Sequence, residues 1–301
     1  MIEIPGPLDP GELKRHFDSF LPPWDGQQLL RAAEYVRSRA HHHLGGRVLG
    51  SRLAANAQLI ASNLVVPHDH AVVQQRFDAN RSTIEFFWIV RALDRGLICP
   101  DYRLERAVRG FPGRYAGGDT SPWDFQQELL WHSALVLGGI AGVRVEEPDL
   151  TIQAGEQRIA LAIKRLSTLK GARSDERSRE AARQIGRSGH PGAIILQIDP
   201  PELQLTATTQ RGAYLDEIAE RALELAAEHE PTARVYGALA YAVQGSRQVD
   251  KLGGETVVLQ FHSAQRWREQ NKANYVPLFE SLADLGGRIA IGLAREVASF
   301  R

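Results

Sequence analysis

The chain lacks most of what would mark it for export or for sulfur chemistry. It holds one cysteine, Cys99, among 301 residues. An internal disulfide and a cysteine-built zinc site are thereby excluded, and a reducing compartment suits the sequence. Cys99 itself is expected to be a small buried hydrophobe. Excess charge of either sign is also missing: 36 Lys and Arg balance 36 Asp and Glu, and the pI is about 7.2. No global field draws the chain toward nucleic acid or a membrane surface, so any polyanion site must be a local patch. No stretch approaches the ~18 apolar residues of a membrane span. The N-terminus, MIEIPGPLDPGELKRHF, has no basic region followed by an apolar run. A cytoplasmic protein with no membrane partner is the expectation. A Gly-rich phosphate loop and a Gly-x-Ser-x-Gly elbow are absent too, which leaves nucleotide hydrolysis and esterase chemistry without support.

What is present divides along the chain. From Gly11 to about Arg106 the apolar spacing is helical, with Leu29, Leu30, Ala33, Tyr35 and Val36 in one segment and Ile84, Phe86, Phe87, Ile89, Val90 and Leu93 in another. Four or five helices are expected, broken at Pro22-Pro23, Gly45-Gly46, Pro67 and Pro100. Residues 111–122, FPGRYAGGDTSP, read as a linker. Beyond it, β-rich runs at 142–145, 150–152, 159–163, 193–198, 234–243 and 256–261 alternate with helical segments, which predicts an α/β domain with a mixed sheet. The expected organisation is a helical N-terminal domain over 1–115, an α/β domain over 116–262, and a C-terminal helical extension over 263–301 packed on it.

The α/β part opens with a helix. Ser121 before Pro122, with Asp124 in the first turn, is a start signal, and Gly138-Gly139 is the matching stop. Phe125, Leu129, Leu130, Ala134 and Leu137 make its apolar face, with Glu128 at the edge. Two strands follow, EEPDLTIQA and EQRIALAIKRL, around Gly155-Glu156. A two-residue turn with glycine first makes residues whose numbers sum to 311 face each other, so Asp149 stands opposite Ala162. Ala160, Ala162 and Lys164 share one face of the second strand, and Lys164 is the diagonal neighbour of Asp149. A strand-end ion pair would explain Asp149 and Lys164 without any chemistry. A border glutamate with a packed stem would likewise explain Glu128.

These residues, in this order, resemble the PD-(D/E)XK nuclease superfamily, whose fold is the restriction-endonuclease-like α/β core. The matching positions are Glu128 on the helix, Pro148-Asp149, and Ala162-Ile163-Lys164, followed by the helical segment Ser174 to Gly186 and the strand GAIILQID. The likeness covers roughly residues 121–262. It implies metal-dependent hydrolysis of phosphodiester bonds in nucleic acid, DNA rather than RNA, with Mg²⁺ or Mn²⁺ as cofactor. Asp149 and the main-chain carbonyl of Ile163 would be metal ligands, Glu128 would hold a second ion or a metal-bound water, and Lys164 would orient or help deprotonate the attacking water. The family's second carboxylate is missing, because Ala162 occupies its place. Three readings of Ala162 are open: an inactivating replacement of a glutamate, migration of the carboxylate to Glu147 or Glu128, and a domain that binds nucleic acid without cutting it.

The densest basic stretch of the chain runs beside this motif. Lys164, Arg165, Lys170, Arg173, Arg177, Arg179 and Arg183 stand against only Asp175, Glu176 and Glu180. Arg165, Lys170, Arg173, Arg177 and Gln184 are the candidate nucleic-acid contacts, and the resemblance also allows Gln184 a supporting role at the metal site. A solvated helix face with Glu–Arg pairs is the plainer alternative. The N-terminal helices would serve recognition, regulation or homodimerisation. His41-His42-His43 and His68-Asp69-His70 are weak metal candidates, each short of a converging third ligand.

Overall fold

The structure is a computed structural model, and it describes residues 24–45, 51–61, 70–110, 121–166, 171–199, 208–230, 234–249, 255–267, 289 and 291–300. They form two compact units. A sheet unit includes Ile140–Gln244 and Gln260–Ala290, and a helical unit includes Leu21–Gly139, Gly245–Leu259 and Ile291–Arg301.

In the helical unit, β1 (Trp24–Asp25) leads into α1 (Gly26–Leu44), followed by α2 (Arg52–Ala61), α3 (His70–Asp94), α4 (Tyr102–Ala107) and α5 (Ser121–Leu137). Asp25 caps α1 reciprocally: its carboxylate accepts from the Gln28 N–H at 2.7 Å, and the Gln28 amide oxygen accepts from the Asp25 N–H at 3.0 Å. Gly45, at φ +59°, ends the helix, as the Gly45-Gly46 break predicted. Residues 84–90 of α3 are buried without interruption, Glu85 among them paired with Arg81, and the helix packs against α1, α2 and α5 at once. Its C-terminal Asp94 gathers Tyr35, Arg39 and His43 of α1, with Arg39 Nη2 at 2.6 Å and His43 Nε2 at 2.9 Å. Burial alone would raise the Asp94 pKa, but the hydrogen bonds from Arg39, Tyr35 and His43 hold it at about 2. The helix over 291–298 closes the unit: Glu296 bonds Arg91 and Arg95, and Phe300 packs on Phe87 and Tyr35.

In the sheet unit, β2 (Leu150–Ala154) and β3 (Gln157–Leu166) form the hairpin, α6 (Gly171–Ser188) crosses to β4 (Gly192–Ile198), and α7 (Thr208–His229) crosses to β5 (Val235–Val249), which precedes β6 (Glu255–Trp267); residues 245–259 of these last two strands group with the helical unit. The strands hydrogen-bond in the order β1-β6-β5-β4-β3-β2. Strands β3, β4 and β5 run parallel and β2 is antiparallel to β3, so the sheet is mixed as expected. Both crossover helices lie on one face, where Ala181, Ala182 and Ile185 of α6 and Leu215, Ala219 and Ala222 of α7 meet Ala160, Ala162, Ile194, Leu196 and Ala240. The approach is close at Gly192, where a Cβ would fall 2.4 Å from the Ala160 carbonyl and 3.0 Å from Ile185.

Several expectations are corrected. Cys99 is exposed, in the short connection between α3 and α4, rather than buried. Residues 142–145 contribute one bridge, Arg144 with Thr151, and no strand of their own. Strand β6 continues to Trp267, so 263–267 is extended where a helix was expected, with Ala264 buried and Arg266 exposed. Helix α5 groups with the helical unit because Gln126, Leu129, Leu130 and Ser133 are buried where it meets α3 and α4. The stretch 111–120, Pro22-Pro23, Pro67 and most of 268–290 lie outside the described residues.

Replacing Asp94 with Asn is expected to cost the helical unit about 2 kcal/mol at neutral pH, the scale of hydrogen bonds to a charged group. The sign follows from the pKa, which falls from 3.8 unfolded to about 2 folded. The contribution is complete above the unfolded value and fades as the pH falls through that interval. Thermal melts of both proteins across this range should converge toward the acid end.

Candidate functional site

The hairpin ladder fixes the site. Pairs Leu150–Leu161, Thr151–Ala160, Ile152–Ile159 and Ala154–Gln157 all sum to 311, and Gly155 takes φ +59° in the turn. One step further, Asp149 faces Ala162. The Ala160 N–H bonds toward β4, through the Pro191 carbonyl at 2.8 Å, whereas the Ile163 N–H bonds toward β2. Odd residues of β3 therefore turn their main-chain groups to the β2 side. The next residue in register with Ile163 is Pro148, which has no N–H to give. Pro148 therefore offers the Ile163 carbonyl no ladder bond on that side, while the Ile163 N–H donates to the Asp149 carboxylate at 2.6 Å.

Lys164 completes the arrangement. Its ammonium donates to the same Asp149 oxygen at 3.0 Å, with side chains 8% and 11% exposed. The pair is therefore largely desolvated, and each charge depends on the other. Asp149 Oδ1 receives no hydrogen bond among the described residues. Burial raises the Asp149 pKa; Lys164 and the Ile163 N–H pull it back in part, and the negative charge of Glu180 adds to the rise.

Helix α6 lines the same place. Glu147, two residues before Asp149, is bonded by Arg187 Nε at 2.7 Å. Glu180, Gln184 and Arg187 recur at helical spacing along one edge of α6, beside the buried stripe of Ala181, Ala182 and Ile185. Arg177 bonds Glu180 at 2.9 Å. The Gln184 side-chain oxygen is buried without a hydrogen-bond partner among the described residues. Arg173 and Arg183 are exposed, and among the described residues Arg183 bonds the Arg179 carbonyl.

The sequence-predicted residues divide as follows. Asp149, Ile163 and Lys164 come together as expected. Ala162 shares their face, yet it is fully buried among Ala160, Ala181 and Ala182. Glu128 is half-buried on α5 in the helical unit. Arg165 is corrected as a nucleic-acid contact: alternation turns it to the opposite face of the sheet, where it is 1% exposed and bonded to Asp199 at 2.9 Å. Gln197 donates to the same carboxylate, and Tyr241 donates to Gln197, so that face carries a buried polar row. Lys170, His68 and Asp69 lie outside the described residues, and His43 is engaged by Asp94.

Sequence reasoning missed Glu180 as a neighbour of Asp149. The available signal was its (i, i+4) relation to Gln184 on the flank of the α6 apolar stripe. No group of three or more His, Cys, Asp and Glu side chains placed to hold a metal occurs among the described residues. No helix among them is long and apolar enough to cross a membrane. No family model, curated protein or solved structure matches the chain.

Placing a glutamate at position 162 pushes a carboxylate into an alanine-lined layer. Ala162→Glu is expected to lower stability by about 2–4 kcal/mol through overpacking and charge burial, read as a drop of several degrees in Tm. A variant as stable as the parent would mean that the layer has room for a carboxylate and that position 162 is a vacated ligand site.

Proposed function

We propose that the sheet unit is a metal-dependent phosphodiesterase acting on nucleic acid, with DNA the preferred substrate, built on a restriction-endonuclease-like core. The observation that carries the reading is the desolvated Lys164–Asp149 pair at the point where Pro148 ends the ladder. A sheet gains nothing structural from that pair which two packed apolar side chains would not supply. The order of elements from α5 to β4, and the Pro148-Asp149 and Ile163-Lys164 positions, support the same reading through their likeness to PD-(D/E)XK nucleases.

The donor set suits a hard cation. Asp149 offers an oxygen that no described residue engages, and the Ile163 carbonyl faces the same side; all are oxygen donors of the kind Mg²⁺ and Mn²⁺ take. Bound there, such an ion would activate water and neutralise phosphate charge. Lys164 fixes the orientation of Asp149 through one oxygen and keeps a cationic N–H group beside the place where water would be activated. Arg173 and Arg183, exposed along α6, are suited to phosphate contacts.

A second reading is favoured by Ala162. Its complete burial in an apolar layer fits a domain that binds nucleic acid without cutting it.

The readings separate in one assay. Plasmid DNA and single-stranded RNA are incubated with the protein in Mn²⁺, in Mg²⁺ and in EDTA. The nuclease reading expects divalent-dependent cleavage that falls by about 10²-fold or more in Lys164→Met and in Asp149→Asn. Absence of cleavage, with salt-sensitive binding that Lys164→Met leaves unchanged, would overturn it in favour of the binding module.

A further inference from the structure

The position opposite Asp149 is closed to a carboxylate by packing, yet the site has an acidic residue beside it from another element. Glu180 acts on Asp149 through its charge. It stands one turn before Gln184 and two turns before Arg187, and Arg187 ties that edge of α6 to Glu147 at 2.7 Å. The edge thus lies along residues 147–149, with Gln184 between the two acidic contacts. Helical side chains lean toward the helix N-terminus, which carries the Gln184 amide over the turn of Glu180. Its oxygen is buried and takes no hydrogen bond among the described residues, a costly state for a polar atom unless a ligand fills it.

We infer that Glu180 supplies the second carboxylate of the Asp149 site and Gln184 a neutral oxygen donor, so that a divalent cation is held between the β2–β3 hairpin and helix α6. The inference rests on the metal reading of Asp149 and adds to it the ligands that Ala162 does not provide. The assignment gives the cation four oxygens: Asp149 Oδ1, the Ile163 carbonyl, a Glu180 carboxylate oxygen and the Gln184 amide oxygen. That set is hard, oxygen-only and carries two negative charges, which suits Mg²⁺ or Mn²⁺ better than zinc. Among the described residues, the charged groups around it are Lys164 on Asp149, Arg177 on Glu180, and the Arg187–Glu147 pair. Cation entry requires Glu180 to leave Arg177, an ion pair whose side chains are 32% and 40% exposed and therefore weakly held.

The test is Mn²⁺ binding to the full chain without nucleic acid, followed by electron paramagnetic resonance of the free ion. The parent protein is expected to take up Mn²⁺ in competition with Mg²⁺. Glu180→Gln should weaken uptake by about 10- to 100-fold and Gln184→Leu by a smaller factor, while Glu176→Gln, exposed on another side of α6, leaves it unchanged. Glu180 is on the surface, so its variant keeps the fold, and thermal melts verify this. Equal uptake by the parent and Glu180→Gln overturns the inference while leaving Asp149 as a metal ligand. No uptake by the parent overturns both, and cleavage by the parent in EDTA would sink the metal reading by a separate route.

Discussion

An ammonium group 8% exposed to solvent stays charged only with an anion beside it, and Lys164 finds its anion in Asp149 at 3.0 Å. That contact sets the geometry of the hairpin's open end. Pro148 has no N–H to give the Ile163 carbonyl, and the Asp149 carboxylate accepts from both the Ile163 N–H and Lys164 with one oxygen. The ladder ends there, and the other Asp149 oxygen accepts no hydrogen bond among the described residues. Removing either partner would leave a buried charge without compensation, which is far costlier than the pair is stabilising.

The neighbouring layer is governed by size. Ala160 and Ala162 on β3, Ala181 and Ala182 on α6, and Gly192 at the start of β4 let the helix approach the sheet closely. Close packing of this kind has no slack for the four further heavy atoms of a glutamate. Position 162 is therefore committed to holding α6 in place, and the same close approach brings the α6 edge of Glu180 and Gln184 alongside residues 147–149. Packing and acidity compete for one position on the strand and are divided between the strand and the helix.

Much of this was legible in the sequence because a two-residue turn leaves register no freedom. Once Gly155-Glu156 is placed, the alternation of side chains puts Asp149, Ala162 and Lys164 on one face, and the observed ladder agrees. The helical spacing of Ile84, Phe86, Phe87, Ile89, Val90 and Leu93 likewise matched the buried part of α3. Arg165 was misread because charge in sequence suggests exposure, whereas strand alternation sends every second residue to the opposite face, and Asp199 was there to meet it. Glu180 was missed for a different reason. Its relation to Asp149 depends on how α6 lies across β3, and no local periodicity encodes the position of one element on another. The exposed Cys99 likewise reflects where α3 ends rather than the apolarity of a thiol.

Without a cation, each anionic group at this end of the sheet already has a partner from the chain: Asp149 has Lys164, Glu180 has Arg177, and Glu147 has Arg187. These partners are unequal in the way a binding site needs. The Lys164–Asp149 pair is desolvated and occupies one carboxylate oxygen only, so it can persist with a metal bound to the other. The Arg177–Glu180 pair is a solvated contact of little net stability, so it can be released at small cost. At the proposed cation site these pairs offset the like charges of Asp149 and Glu180, and a bound cation would relieve what repulsion remains. Such a balance would make affinity depend on the weakest of the pairs, and it places control of the site on Arg177, a residue that would touch neither the metal nor its substrate.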